Sequence, residues 1–329
     1  MLTIEESLMS KTEILMTAPM MPVAIEALDK AFTLHRLWEH ENRTGFLREI
    51  GPRIRGVATS TLFGRMDASL FETLPHLEIV SSFGVGYDNV DVTEAARRGV
   101  IVTNTPDVLN DEVADLTIGL LLATLRKIPQ ADRYLREGRW LKAPFPLSPT
   151  LRERKIGIVG LGRIGKAIAR RLEGFDVSIA YHGRTRQENV AYTYYPTLIG
   201  MAEACDVLIV ITPGGAGTRH LIDADVLKAL GPDGVLINVA RGSVVDEQAL
   251  IEALKSGTIL MAGLDVYEDE PRVPQDLIDM EHVVLLPHIA SGSVHTRNAM
   301  AQLVADNLIS WFSGKGPLTP VPETPYQLG

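Results

Sequence analysis

Residues 155–165 read KIGIVGLGRIG, and this stretch decides the fold. An apolar run, Lys155 to Val159, ends at Gly160, Gly162 and Gly165, and a helical pattern follows directly. Each glycine answers a physical demand. The first allows a tight turn, the second lets backbone approach a pyrophosphate, and the third lets helix pack closely on strand. A helix beginning there turns free N–H groups and the positive end of its dipole toward phosphate. The spacing GxGxxG alone is weak evidence, but here strand, turn, helix and next strand all fall within about 30 residues, the context that gives it meaning. The stretch predicts a dinucleotide-binding unit on a parallel sheet.

Working outward, strand and helix signals alternate on both sides. Downstream, 176–181, 207–211, 235–239, 259–264 and 283–286 are short apolar runs. Upstream, 14–17, 34–38, 56–60, 77–82 and 100–103 repeat the plan. Strands alternating with helices imply right-handed crossovers and parallel sheets. Val92 to Arg98 is the clearest upstream helix, with Asp91 to cap it, Glu94 at the capping-box position and Gly99 to end it. Residues 111–127 form a longer helix, acidic at its start and basic at its end, and apolar on every side in the middle, which implies burial. The Pro-rich segment from Pro129 to Pro149 reads as an extended arm or loop. Val294 to Phe312 reads as a long amphipathic helix with no strand of its own, so its place is on the first unit. The expected architecture is α/β: two Rossmann-like or flavodoxin-like domains with parallel sheets and a cleft between them. Residues 105–290 form the dinucleotide-binding domain, and 1–104 with 291–329 form a discontinuous substrate-binding domain.

The balance of 41 acidic against 32 basic side chains in 329 residues argues against nucleic acid or an anionic membrane as partner. No stretch reaches the ~18 apolar residues needed to span a bilayer. Cys205 is the single cysteine, which excludes an intramolecular disulfide and a cysteine-built zinc cluster. The first residues, MLTIEESLMSK, lack the basic start of a signal peptide. The expectation is a cytoplasmic protein. No His, Asp and Glu grouping has metal-ligand spacing, so no metal is expected.

An NAD site places an acid about 20 residues past the glycines, at the end of the next strand. That strand ends Tyr181-His182-Gly183-Arg184-Thr185-Arg186, with no acid, and Asp176 lies at its wrong end. Arg184 with Thr185, Arg186 and His182 suits a 2′-phosphate, which arginine grips through paired donors. The cofactor expectation is NADP(H) over NAD(H).

Three polar residues follow strands of the second unit: Arg241, Glu270 and His288. In such a sheet the carboxyl ends of the strands border the ligand crevice. Hydride transfer to a ketone develops charge on oxygen and needs a proton donor, the usual task of histidine near neutral pH. A carboxylate beside it favours the imidazolium. An arginine pairs with a substrate carboxylate and polarises its carbonyl. His182, His220, His282 and His295 are competitors. His282 precedes its strand, His220 lies in a loop past Gly214, Gly215 and Gly217, and His295 begins a helix.

Taken together, SSFGVGYDNVDV (81–92), VGLGRIG (159–165), NVARGSVVDEQAL (238–250), GLDVYEDEP (263–271) and LLPHIASGS (285–293) resemble the D-isomer-specific 2-hydroxyacid dehydrogenases. The likeness runs from about Leu77 to the last helix. The 102–123 stretch and Tyr192 to Tyr195 look most like its NADPH-using hydroxyphenylpyruvate, hydroxypyruvate and glyoxylate reductases. The resemblance implies Arg241, Glu270 and His288 as the catalytic set. It implies backbone amides of Val85 and Gly86, with Arg241, on the substrate carboxylate. It implies cofactor contacts from Arg163, Ile164, Arg184, Thr212, Ala240, Asp265 and Ser291, beside Gly160, Gly162 and Gly165. It also implies a homodimer through the nucleotide domains, residues 111–150 crossing to the partner. Trp140 then either reaches the neighbouring active site or packs in the interface alone. The expected activity is NADPH-dependent reduction of a small 2-oxoacid (glyoxylate, hydroxypyruvate or hydroxyphenylpyruvate) to the D-2-hydroxyacid. The alternatives are an NAD-dependent enzyme of the same fold, such as a phosphoglycerate dehydrogenase, and a dinucleotide-sensing corepressor-like binding protein.

Overall fold

The computed structural model describes residues 11–60 and 64–326. The chain divides into two compact units, one of residues 1–109 with 294–329 and the other of residues 110–293. Each is an α/β unit on a wholly parallel sheet, as the strand–helix alternation predicts.

The first unit holds β1 (Glu13–Met16), α1 (Pro22–Ala31), β2 (Thr33–Arg36), α2 (Arg43–Ile50), β3 (Ile54–Ser60), α3 (Ala68–Thr73), β4 (Ile79–Phe83), α4 (Val92–Arg98) and β5 (Ile101–Thr103). Its strands lie in the order β2-β1-β3-β4-β5. Ile50, Phe71 and Ala95 of the helices bury one face with Leu15, Val57 and Val80 of the strands. Asp91 caps α4 by accepting from the Glu94 amide, and Gly99 ends it in the left-handed region. The capping box does not close. The Asp91 N–H donates to the Met66 carbonyl instead, and the Glu94 carboxylate turns to Arg97 and Arg98. Those two hydrogen bonds hold the Glu94 carboxyl down at about 2.

The second unit opens with α5 (Asn110–Arg126) and α6 (Ile128–Arg136). Then come β6 (Lys155–Val159), α7 (Arg163–Leu172), β7 (Ser178–His182), β8 (Thr193–Tyr195), α8 (Leu198–Ala204) and β9 (Val207–Val210). It continues with α9 (Ala224–Leu230), β10 (Val235–Asn238), α10 (Glu247–Ser256), β11 (Met261–Leu264), α11 (Gln275–Asp279) and β12 (Val283–Leu285). The order is β12-β11-β10-β9-β6-β7-β8, so the strand sequence reverses between β6 and β9, where such sheets bind ligands. The strands are continuous apolar runs because both faces are covered. Ile118 and Leu121 of α5 with Ile168 and Leu172 of α7 cover one face, and Met201, Leu227 and Leu250 of α8, α9 and α10 cover the other.

The expected arm is not all extended. Residues 128–136 form α6, with Pro129 in its first turn, where the missing N–H of proline costs nothing. A single turn of 3₁₀ helix, Arg139–Leu141, follows it. Tyr134 is buried, donates its hydroxyl to the Ala143 carbonyl at 2.9 Å and meets Phe145 edge to face.

After Ser293 the last helix, α12 (Val294–Phe312), falls in the first unit. It lies so close to β3 that a Cβ on Gly56 would stand 2.9 Å from the Phe312 ring. The following segment finishes β5: Val102 donates to Thr324 Oγ1 and Val321 donates to the Val102 carbonyl. Among the described residues no helix is long and apolar enough to cross a membrane, and no three His, Cys, Asp or Glu side chains are grouped to hold a metal.

Candidate active site

The glycine turn bridges β6 and α7. Gly160 has φ 102°, a conformation only glycine takes without strain, and its N–H donates to the His182 carbonyl at 2.9 Å. A Cβ on Gly165 would lie 2.2 Å from the Gly160 carbonyl oxygen, so glycine there is a packing requirement. Gly162 faces open space and precedes α7 with no side-chain cap, leaving the first amides of the helix available. Across the switch point, past the end of β9, Thr212 Oγ1 is buried with no hydrogen-bond partner among the described residues. A buried hydroxyl left without a partner is costly, and a bound ligand relieves it. Uncapped amides, an open Gly162 and an orphaned hydroxyl fit the diphosphate of a dinucleotide.

At the end of β7, His182 is tied by Nδ1 to the Tyr195 carbonyl of β8 at 2.9 Å. Arg184, Thr185 and Arg186 are exposed, and neither arginine pairs with a carboxylate among the described residues. Gln187 closes this loop. Its N–H donates to the Tyr181 hydroxyl at 2.8 Å, and its side-chain amide to the Leu161 carbonyl inside the glycine turn at 2.7 Å. Sequence reading passed over Gln187, since a glutamine beyond a loop carries no local signature. Arg163 and Ile164 open α7, Arg163 exposed and Ile164 half-buried.

Arg241, Glu270 and His288 follow β10, β11 and β12, three adjacent strands in register at Asn238, Leu264 and Leu285. His288 Nδ1 and Glu270 Oε2 are 2.7 Å apart, and Glu270 Oε1 accepts from the Tyr267 N–H at 3.0 Å. Burial works against the Glu270 charge. The hydrogen bond and charge of His288, the Tyr267 amide and the Arg241 charge outweigh it and hold the carboxyl below the usual carboxylate range. Arg241 therefore acts electrostatically on the pair, and it donates from Nη1 to the Ala240 carbonyl.

Two further groups hold Arg241 and His288 in place. Asn238, almost fully buried, donates to the Arg241 carbonyl and accepts from the Ala240 N–H, which pins the turn into Arg241. Asp265, fully buried, accepts from Ile289 and Ala290 amides at 2.7 and 2.8 Å, and its carbonyl accepts from the His288 N–H at 2.9 Å. These bonds hold His288 at φ 54°, a strained value for a residue with a Cβ. Burial pushes the Asp265 carboxyl up against the pull of those amides and of His288. Sequence reading did not see the Asn238 role. A buried asparagine closing a hydrophobic strand is the signal that could have found it. Ser291 lies half-buried just beyond this clamp.

The competing histidines have other partners or positions. His182 is engaged with β8, His220 bonds Glu268, His282 precedes β12 at the end opposite His288, and His295 belongs to the first unit.

In the first unit, the loop after β4 runs Phe83-Gly84-Val85-Gly86. Gly84 has φ 149°, and its N–H and C=O are both taken by Thr105, at 3.0 and 2.9 Å. Asn104 donates to the Val85 carbonyl at 2.8 Å. The Val85 and Gly86 N–H groups have no acceptor among the described residues, so the loop presents two donors suited to an anion.

The chain is similar to known proteins over most of its length. Residues 118–290 match the family model described as D-isomer specific 2-hydroxyacid dehydrogenase, NAD binding domain. The chain is 49% identical over 313 residues to a glyoxylate/hydroxypyruvate reductase of Arabidopsis thaliana, covering 95% of this chain and 100% of that one. It is 49% identical over 308 residues to a hydroxyphenylpyruvate reductase of Plectranthus scutellarioides, covering 94% and 98%. A crystal structure of an NADPH-dependent glyoxylate/hydroxypyruvate reductase from Sinorhizobium meliloti, with NADP and malonate, superposes with a TM-score of 0.91 at 54% identity, covering 97% of this chain and 99% of that one.

Proposed function

The chain belongs to the D-isomer-specific 2-hydroxyacid dehydrogenases, and from that membership we propose that it is an NADPH-dependent reductase of small 2-oxoacids such as glyoxylate, hydroxypyruvate or hydroxyphenylpyruvate. The observation that carries the reading is the 2.7 Å contact between His288 and Glu270 at the ends of neighbouring strands, with the Arg241 charge beside them. NADPH, when bound, supplies the hydride for the keto carbon. His288 gives its proton to the developing alkoxide. Glu270, held ionised by its surroundings, fixes the imidazole through Nδ1 and leaves Nε2 to face the substrate. Arg241 pairs with the substrate carboxylate; in the first unit, the free Val85 and Gly86 amides are donors suited to an anion.

For the cofactor, Gly160, Gly162, Arg163, Ile164 and Gly165 serve the diphosphate, with Thr212, Ala240, Asp265 and Ser291 along the rest of the molecule. His182, Arg184 and Thr185 take the 2′-phosphate. The unpaired guanidinium of Arg184 and the missing acid at the end of β7 support NADPH over NADH. Initial rates with each cofactor and the three 2-oxoacids test this. NADPH is expected to be preferred. Arg184→Ala is expected to raise the KM for NADPH about 10- to 100-fold, since a hydrogen bond to a charged group is worth about 1.5–3 kcal/mol. The KM for NADH should hardly change. An NADH preference in the unmodified enzyme would remove the Arg184 role while leaving the His288 pair intact. Tight dinucleotide binding with no turnover on any 2-oxoacid would favour a binding protein.

We also propose a cytoplasmic homodimer formed through the nucleotide units. The arm supports the dimer: Trp140 is 66% exposed, Leu141 92% and Leu147 99%, a run of apolar side chains that a monomer would leave in water. The single cysteine, buried and unpaired, suits a reducing compartment. Sedimentation equilibrium should give twice the chain mass, and Leu141→Glu with Leu147→Glu should shift it to one chain. A double mass kept by that variant would take the arm out of the interface.

A further inference from the structure

The loop that carries Glu270, residues 265–272, is pinned mostly to itself and to β11 and β12. Tyr267 donates its hydroxyl to the Leu286 carbonyl and its N–H to Glu270, and Arg272 turns back on Asp269. Glu268 is different. Its carboxylate accepts from Arg219 Nη2 at 2.8 Å and meets His220 Nε2 at 3.0 Å. Its N–H donates to Glu247 Oε2, at the first residue of α10, at 3.2 Å.

Residues 219–222 are attached on their other side to the stretch just past Arg241. The His220 N–H donates to the Ser243 carbonyl at 2.8 Å, Ile222 donates to Val244 at 3.0 Å, and Asp246 returns a bond to Ile222 at 2.9 Å. His220 sits at φ 50°, strained for a histidine, with its second nitrogen 3.8 Å from Asp246. The two loops also touch directly, since a Cβ on Gly242 would fall 1.8 Å from the Tyr267 carbonyl carbon. One short segment therefore joins the stretch after Arg241 to the loop before Glu270. Nothing in the proposed chemistry needs an Arg–His–Glu cluster there, yet the fold holds a histidine in a strained conformation to make it.

We propose that Glu268 is a positioning residue: clasped by Arg219 and His220, it fixes the Glu270 carboxylate, two residues on, relative to both His288 and Arg241. This rests on the catalytic reading of Glu270 and His288. Glu268 is not among the groups assigned to substrate or cofactor; its bonds are to Arg219, His220 and Glu247, and it acts through the backbone it anchors.

The test compares wild type with Glu268→Ala, Glu268→Gln and His220→Asn, reading kcat and KM for glyoxylate, the dissociation constant of NADPH by fluorescence, and the melting temperature. Asparagine tolerates the left-handed backbone at position 220 but is too short to reach Glu268. Small misplacement of reacting groups costs up to about 100-fold, so Glu268→Ala is expected to lose about tenfold in kcat, with the KM for glyoxylate and NADPH binding unchanged. His220→Asn should lose several-fold in kcat alone. Glu268→Gln keeps an oxygen acceptor for both partners and should restore most of kcat. Wild-type kcat in Glu268→Ala overturns the proposal, as does a parallel loss of kcat, glyoxylate KM and NADPH binding, which would mark general damage. If Glu268→Ala does not fold, His220→Asn decides: wild-type kcat there overturns it equally. His288→Ala, run alongside, separates the two levels of inference. Turnover surviving in His288→Ala sinks the catalytic reading itself, whereas loss there with full activity in the Glu268 and His220 variants sinks only the positioning role.

Discussion

Replacing His288 by alanine is expected to lower kcat for 2-oxoacid reduction about 10²- to 10⁴-fold, the range of a lost general acid. NADPH should bind as in the wild type, since the ring faces Glu270 and the glycine turn lies on another strand end. The loss should fall on kcat more than on KM, because a proton donor is needed only as charge develops on the oxygen. Stability should fall somewhat, since alanine relieves none of the strain at φ 54° and leaves the half-buried Glu270 carboxylate without the His288 hydrogen bond that offsets its burial. Turnover within a few-fold of wild type, with NADPH still bound, would show that another group donates the proton.

Arg241→Lys should cost about 10²- to 10³-fold in kcat/KM, the scale of losing one donor aimed at reaction-centre charge. Lysine keeps the positive charge that helps hold the Glu270 carboxyl ionised, so the His288 pair stays intact. What lysine lacks is the planar fork that meets a carboxylate with two parallel hydrogen bonds. The substitution therefore separates charge from geometry. The loss should appear with every 2-oxoacid, since all share the carboxylate. Activity within about threefold of wild type would mean that charge alone suffices at this position, contrary to bidentate recognition.

Much of the fold was legible because its signals are local. The bounds of α12 were read from helical spacing alone, the strands from short apolar runs, and the caps of α4 from Asp91 and Gly99. Where reading failed, tertiary context had overridden a local rule. Prolines made 129–149 look irregular, yet Pro129 stands in the one turn of a helix that accepts it. Glu94 had the spacing of a capping box, but the amide it would have reached was already bonded to Met66. β8 is three residues long and exists through its pairing with β7. At the candidate site, neighbouring strand ends made the meeting of Glu270 and His288 foreseeable. The Gln187 and Glu268 contacts were not, since each joins segments distant in sequence through one side chain, and the Asn238 contacts, though local, belong to a residue that closes an otherwise apolar strand. Which 2-oxoacid fits is likewise written in loop shape rather than motif.

The discontinuity of the first unit bears on how the molecule is made. The chain leaves that unit at Leu109 and returns only at Val294. Until α12 is synthesised, the Gly56 face of β3 lacks Phe312 and Leu308, and β5 lacks the Val321 and Thr324 segment that completes its edge. Chains commonly fold from the N-terminus as they leave the ribosome. Residues 110–293 hold a complete sheet with two covered faces, whereas the unit begun first keeps the Gly56 face of β3 open until α12 has been made. The delay before that face is covered is set by the length of the segment, residues 110–293, inserted into the first unit.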